Sequence, residues 1–379
     1  VTPLHSYNIV IDTLSEVYTS LKHLASTEFW DFSQHDPIKG SIYIVGRRQV
    51  SENLDKFRAM AQSPDYIMIF NNSAEGSSPL VSQLRLLDLH DLVLENRILL
   101  ISGGELDHRY PYMLHEYFLE KILDYDENIA AIQHSDKIYT TSNKPWDFLF
   151  LNGRSRPHRK YLWERFNSLG LLDRSLWTML DSRPTASRHF KLSQSGVNLM
   201  TTSTPIQCLP TEYEVDQFRD NKILPNSEQP FVKHDLFNNL WGEIYLVPEV
   251  YQDTYFSVVT ETVFDYPYSF RTEKIAKPLL MAHPWICATG PGFYRDMHKL
   301  GFKTFGNLID ESFDSIDNHQ DRMDRIIDIV KDLCETGPAG FLVAAHDVCK
   351  YNQQHLISLA PTVRTEFPTQ FLNFVNKFS

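Results

Sequence analysis

The chain has 379 residues, 42% of them hydrophobic and 22% charged, which excludes a disordered polypeptide and is long enough for two hydrophobic cores. A net charge of −12 argues against a broad electrostatic grip on nucleic acid or on an anionic membrane, while peripheral membrane contact stays open. The four cysteines, Cys208, Cys287, Cys334 and Cys349, are widely spaced and form no CxxC pair, so a reduced, cytoplasmic chain without disulfide framework or structural zinc is expected.

The opening VTPLHSYNIVIDTL has no basic segment followed by an apolar one, so no signal peptide is expected there, and the missing initiator Met leaves room for residues upstream. No run of about 18 apolar residues exists, so no transmembrane helix is expected. Short apolar runs read as buried strands at SIYIVG (41–46), YIMIFN (66–71), RILLISGG (97–104), KIYTTS (137–142) and DFLFLNG (147–153). Helical periodicity separates them in VSENLDKFRAMAQS (50–63) and PYMLHEYFLEKILDYD (111–126). This alternation predicts an α/β fold with parallel sheets, whose ligands sit beyond the carboxyl ends of the strands. SNKPWD (142–147) has linker chemistry and places a boundary near residue 145.

From 181 to 235 the pattern is polar and aperiodic and reads as an insertion. EIYLVPEV (243–250), YFSVVTET (255–262) and PWICATG (284–290) read as strands, and YRDMHKLGF (294–302) and HQDRMDRIIDIVKDLCE (319–335) as helices. The expected organisation is therefore one domain over 1–145, a second over 146–340, and a helical tail over 341–379.

Two stretches carry candidate chemistry. In DFLFLNGRSRPHRKYLWERF a strand ends at Asn152, and Arg154, Arg156, Arg159 and Lys160 surround Pro157, which suits a first helical position. Cations at a helix N-terminus oppose the helix dipole, so they gain nothing structurally there, but they suit a phosphate or diphosphate. Further on, Glu261 and Glu273 flank an aromatic loop, and Thr272-Glu273-Lys274 opens a helix. A carboxylate can accept both hydroxyls of a ribose and a lysine can pair with phosphate. The 15 histidines form no HExxH or HxH cluster, and IDESFDSIDNHQD (309–321) lacks the EF-hand spacing, so no metal site is expected.

The segment YFSVVTETVFDYPYSFRTEKIAKPLLMAHPWICATG resembles the donor-binding segment of the α1,3-fucosyltransferase family. Thr272-Glu273-Lys274-Ile275 matches the family's core motif, and Glu261 falls at its first Glu. Asn152 and Arg159 match the family's strand, turn and Arg-bearing helix. Phe270 stands where the family has Tyr, and Thr262-Val263 where it has Asn-Ser. The resemblance covers roughly 147–170 and 255–292. It implies two Rossmann-like domains facing across a cleft (GT-B type), with the donor on the second and the acceptor on the first. It also implies a tail packing back on the first domain and no required metal or cofactor. Arg159 and Lys274 would contact the diphosphate of a nucleotide sugar and Glu273 the ribose. Asn152, Arg154, Lys160, Glu261, Phe270, Arg271 and Thr272 would complete the donor side.

An inverting transfer to a glycan hydroxyl needs a general base. The strand end RILLISGGELDHRYP offers Glu105, with Asp107 and His108 as alternatives. Asn71 and Glu75, in FNNSAEGSS, are candidates for the acceptor side. Two other readings compete: a non-catalytic nucleotide-sugar or glycan-binding protein, and a sugar transferase acting on nucleic acid, which the charge disfavours.

Overall fold

The computed structural model describes residues 8–378 except 14, 30, 75–79, 153–155, 180–245, 263 and 265–268. The described residues fall into two compact units. The first draws on 1–121, 268–272 and 358–379, and the second on 122–267 and 273–357. The division falls at Lys121–Ile122 instead of near residue 145. The reason is local bonding: Asn128 Oδ1 accepts from the Leu246 amide at 2.9 Å, and the Tyr139 hydroxyl donates to the Ala282 carbonyl, so 122–145 fold with the second unit.

The first unit holds a parallel six-stranded sheet of β1 (Asn8–Asp12), β2 (Thr27–Phe29), β3 (Ser41–Gly46), β4 (Tyr66–Asn72), β5 (Ile98–Ser102) and β6 (Tyr112–Leu114), in the order β2-β1-β3-β4-β5-β6. Successive strand residues point to opposite faces, and both faces are apolar, as a helix-covered parallel sheet requires. Val10, Tyr43, Val45, Met68, Phe70 and Leu100 build one core with Phe57 and Leu84. Ile9, Ile11, Ile42, Ile44, Ile69 and Ile101 build the other with Phe367, Phe371 and Val375. Those last three lie on the long helix Pro338–Asn376, the expected tail, which Arg364 fastens by donating to Glu120 at 2.8 Å. Glu120 also faces His115 Nε2 at 2.9 Å and accepts from Ser20 at 3.1 Å, so its buried carboxylate is well partnered.

The second unit holds a parallel four-stranded sheet of β7 (Trp146–Asn152), β8 (Ser175–Met179), β9 (Thr254–Thr260) and β10 (Trp285–Ala288), ordered β10-β9-β7-β8. The helix Pro157–Ser168 starts at its proline as expected, and His319–Thr336 is capped by Asn318, which accepts from the Gln320 and Asp321 amides. Several expectations need correction. KIYTTS forms the short helix Lys137–Thr140, and Pro248–Gln252 is helical where EIYLVPEV suggested a strand. The helix expected over 111–126 divides into β6 and the helix Tyr117–Lys121. The expected insertion over 181–235 lies outside the described residues. Cys287, Cys334 and Cys349 are buried free thiols. Among the described residues no helix is long and apolar enough to cross a membrane.

Candidate functional site

The carboxyl edge of the second unit's sheet gathers five of the ten residues expected on the donor side: Asn152, Arg159, Glu261, Glu273 and Lys274. At the end of β9 the Thr260 hydroxyl donates to Asn152 Oδ1 at 2.6 Å, tying the ends of β9 and β7. Arg159, two residues into its helix after Pro157, turns inward and is 2% exposed. Its Nη2 donates to the Thr260 carbonyl at 3.0 Å.

Beyond β9, buried Glu261 accepts from the Thr262 amide at 3.2 Å. Glu273 opens the helix Glu273–Leu280 and is buried, and its Oε1 lies 2.5 Å from Lys274 Nζ. That ammonium also reaches Thr262 Oγ1 at 3.4 Å. Glu273 and Lys274 are thus bonded to Thr262 just past the end of β9, although residues 263–272 separate them in sequence.

Two side chains here were not anticipated. His158 faces the Glu261 carbonyl with Nε2 at 2.9 Å. Because a carbonyl only accepts, Nε2 carries the proton and Nδ1 is unprotonated and without a partner. Burial, and then the neighbouring Arg159, push its pKa well below the ordinary value, so it is neutral. Its ring stacks on Phe264 at 4.3 Å. Arg322, 1% exposed, donates to the carbonyls of Thr289 (2.8 Å), Ile316 (2.7 Å) and Phe264 (2.6 Å). It thereby joins the ends of β9 and β10 to the helix His319–Thr336. A sequence signal existed for Arg322: it is a cation on the apolar stripe with Met323, Ile326 and Val330. His158 had none, since a lone histidine in a basic helix start reads as surface.

Other expected residues are placed differently. Lys160 is exposed and pairs with Glu164 at 3.6 Å along its helix. Arg154 and Glu75 lie outside the described residues. Phe270, Arg271 and Thr272 belong to the first unit, not with Glu273 in the second. Arg271 grips Glu116 with two nitrogens, Nε at 2.8 Å from Oε2 and Nη2 on Oε1, and gives Nη1 to Ser269 at 2.7 Å. This is a buried fork within the first unit.

In the first unit, Phe270 bridges Gly104 in antiparallel fashion, packing against the turn that follows β5. A Cβ on Gly103 would overlap the Ser73 carbonyl and the Phe270 ring, so this turn requires glycine. Glu105 follows, half-buried. Asp107 is engaged by Arg109, through its amide at 2.9 Å and its guanidinium at 3.1 Å, and Arg109 holds the carboxyl below its usual range. His108 is 95% exposed beside it. Of the three base candidates Glu105 alone sits in the glycine-shaped strand end. Asn71 is buried and donates to Ser15 Oγ (3.0 Å) and Glu16 Oε2 (2.6 Å).

At the opposite, amino edge of the same sheet lies a cavity of about 260 Å³ lined by Gly40, Ser41, Asp65, Asn96 and Arg97, away from all of these groups. Among the described residues no cluster of three or more His, Cys, Asp or Glu could hold a metal ion. The chain matches no family model, and no curated protein and no solved structure matches it either.

Proposed function

We propose that this chain is a glycosyltransferase that moves a sugar from a nucleotide-diphosphate donor to a glycan hydroxyl, inverting the anomeric carbon and using no metal. The observation that supports it best is the cluster of Arg159, Glu273 and Lys274 at the carboxyl edge of a parallel sheet, where such folds bind ligands. In this reading Arg159 and Lys274 hold the diphosphate and Glu273 the ribose hydroxyls. The donor's C–O bond breaks, the nucleoside diphosphate leaves with the charge that the two cations balance, and the acceptor oxygen takes its place. Glu105 receives the acceptor's proton. The GT-B arrangement, with donor on the second unit and acceptor on the first, is part of the same proposal. So is a cytoplasmic setting, with which the buried free thiols agree.

Lys274 is paired with Glu273 before any donor arrives, so a diphosphate competes with that carboxylate for the ammonium. Calorimetric titration with GDP, UDP and dTDP tests the reading. One of them binds, and Lys274→Ala weakens it by about tenfold or more, the worth of a charge-assisted hydrogen bond. Failure of all three to bind would refute the proposal. Donor hydrolysis that disappears in Glu105→Gln distinguishes an enzyme from a nucleotide-sugar binder.

A further inference from the structure

The cavity of about 260 Å³ at the amino edge of the first sheet opens where the chain enters β3, β4 and β5. A residue in left-handed backbone, Gly40 at φ 72° and Asn96 at φ 57°, turns the chain just before β3 and just before β5. The walls draw on both cores of the unit. Ala61 and Tyr66 pack with one core and Ile67 and Leu99 with the other. Phe378, just past the long helix, adds a second aromatic ring and is itself edge-on to Phe374 at 5.4 Å. Much of the wall is therefore carbon.

The polar groups on this wall select the ligand. Asp65 is taken by Lys39, 2.9 Å away. Arg97 lines the same space, is exposed, and its guanidinium has no partner among the described residues. Ser41 is 1% exposed, and its buried hydroxyl also lacks a partner, a group that a ligand oxygen would satisfy. The amides of the turns are already engaged: Gly40 donates to the Asp65 carbonyl at 2.9 Å, Asn96 to Val93 at 3.0 Å and Arg97 to Leu92 at 2.8 Å. One open cation without free turn amides suits a singly charged anion better than a phosphate, which gathers several donors. The guanidinium fork matches the two oxygens of a carboxylate. The Tyr66 and Phe378 rings favour an aromatic body on that acid. A dry cavity of about 150 Å³ already holds a benzene ring, so this larger one admits a ring with a short acid arm.

We propose that this cavity binds a small aromatic monocarboxylate, with its acid group on Arg97 and its ring against Tyr66 and Phe378. The site does not rest on the glycosyltransfer reading, because no residue used in that reading lines the cavity. Saturation-transfer NMR on the full chain tests it. The probes are benzoate, phenylacetate and 3-phenylpropionate, each beside its neutral amide. At least one acid receives saturation, and its amide binds about tenfold more weakly or not at all. Arg97→Gln weakens that acid by about tenfold or more, the worth of a charge-assisted pair. Phe378→Ala weakens it by about threefold or more through the lost ring contact. Both side chains are exposed, so neither variant opens a core. The proposal is overturned if no acid receives saturation, if an amide binds as well as its acid, or if Arg97→Gln leaves binding unchanged.

Discussion

Removing the Glu116 carboxylate should be among the most damaging single changes in the first unit. Arg271 is 2% exposed and spends two of its nitrogens on Glu116 and a third on the Ser269 hydroxyl. Glu116→Ala removes the carboxylate that takes two nitrogens of this buried guanidinium, and breaking a buried pair in this way costs about 3–5 kcal/mol. Replacing both partners by apolar side chains of similar length, Glu116→Leu with Arg271→Met, removes the stranded charge and should recover most of the loss. Because the chain has two units, a single unfolding midpoint would mix their responses. Native-state hydrogen exchange at the β5 amides of Leu100 and Ile101 reads the first unit by itself. The single variants should lower protection there, and the coupling energy of the double-mutant cycle should reach about 2 kcal/mol. A loss below about 1 kcal/mol in Glu116→Ala, or strictly additive variants, would show that the fork is not buried and paired in solution.

Two more predictions follow from buried groups. His283 is enclosed, its Nε2 faces the Thr254 carbonyl at 3.0 Å and its Nδ1 faces the Ser257 hydroxyl at 2.9 Å, and burial lowers its pKa to about 3. Between pH 6.5 and 3 the unfolded chain takes up a proton that the folded chain refuses, so stability falls with pH across that window, at about 1.4 kcal/mol per unit for one full proton. In His283→Gln, acid titration of the second unit's unfolding should show a slope shallower by up to that amount, and an unchanged slope would contradict the enclosure. Gly103→Ala forces a methyl against the Ser73 carbonyl and the Phe270 ring and should cost about 1–3 kcal/mol in the same exchange assay at β5. A neutral effect would mean that the Gly104–Phe270 bridge does not hold.

Strands β3, β4, β5, β7, β9 and β10 were legible because strands buried on both faces read as continuous apolar runs. Edge strands β2 and β6, each three residues long, left too little pattern to see. KIYTTS has strand composition, yet it forms a helix because Tyr139 is held by the Ala282 carbonyl and packs edge-on against His346 at 4.5 Å. Tertiary contacts overrode propensity there. In the candidate site, strand-end and helix-start chemistry pointed to Asn152, Arg159, Glu273 and Lys274, which the structure brings to the carboxyl edge of the second sheet. The fate of Arg271 was not legible, since its partner Glu116 lies 155 residues away in sequence and nothing local marks the pairing.

The first unit's composition from distant stretches has a consequence for biosynthesis. Residues 1–121 leave the ribosome first, yet the face of their sheet bearing Ile9, Ile11, Ile42 and Ile44 is covered by Phe367, Phe371 and Val375. The unit begun earliest is therefore completed last, after nearly the whole second unit has been made. During that interval an apolar sheet face waits for its lid, the kind of exposed surface on which nascent chains aggregate or recruit chaperones.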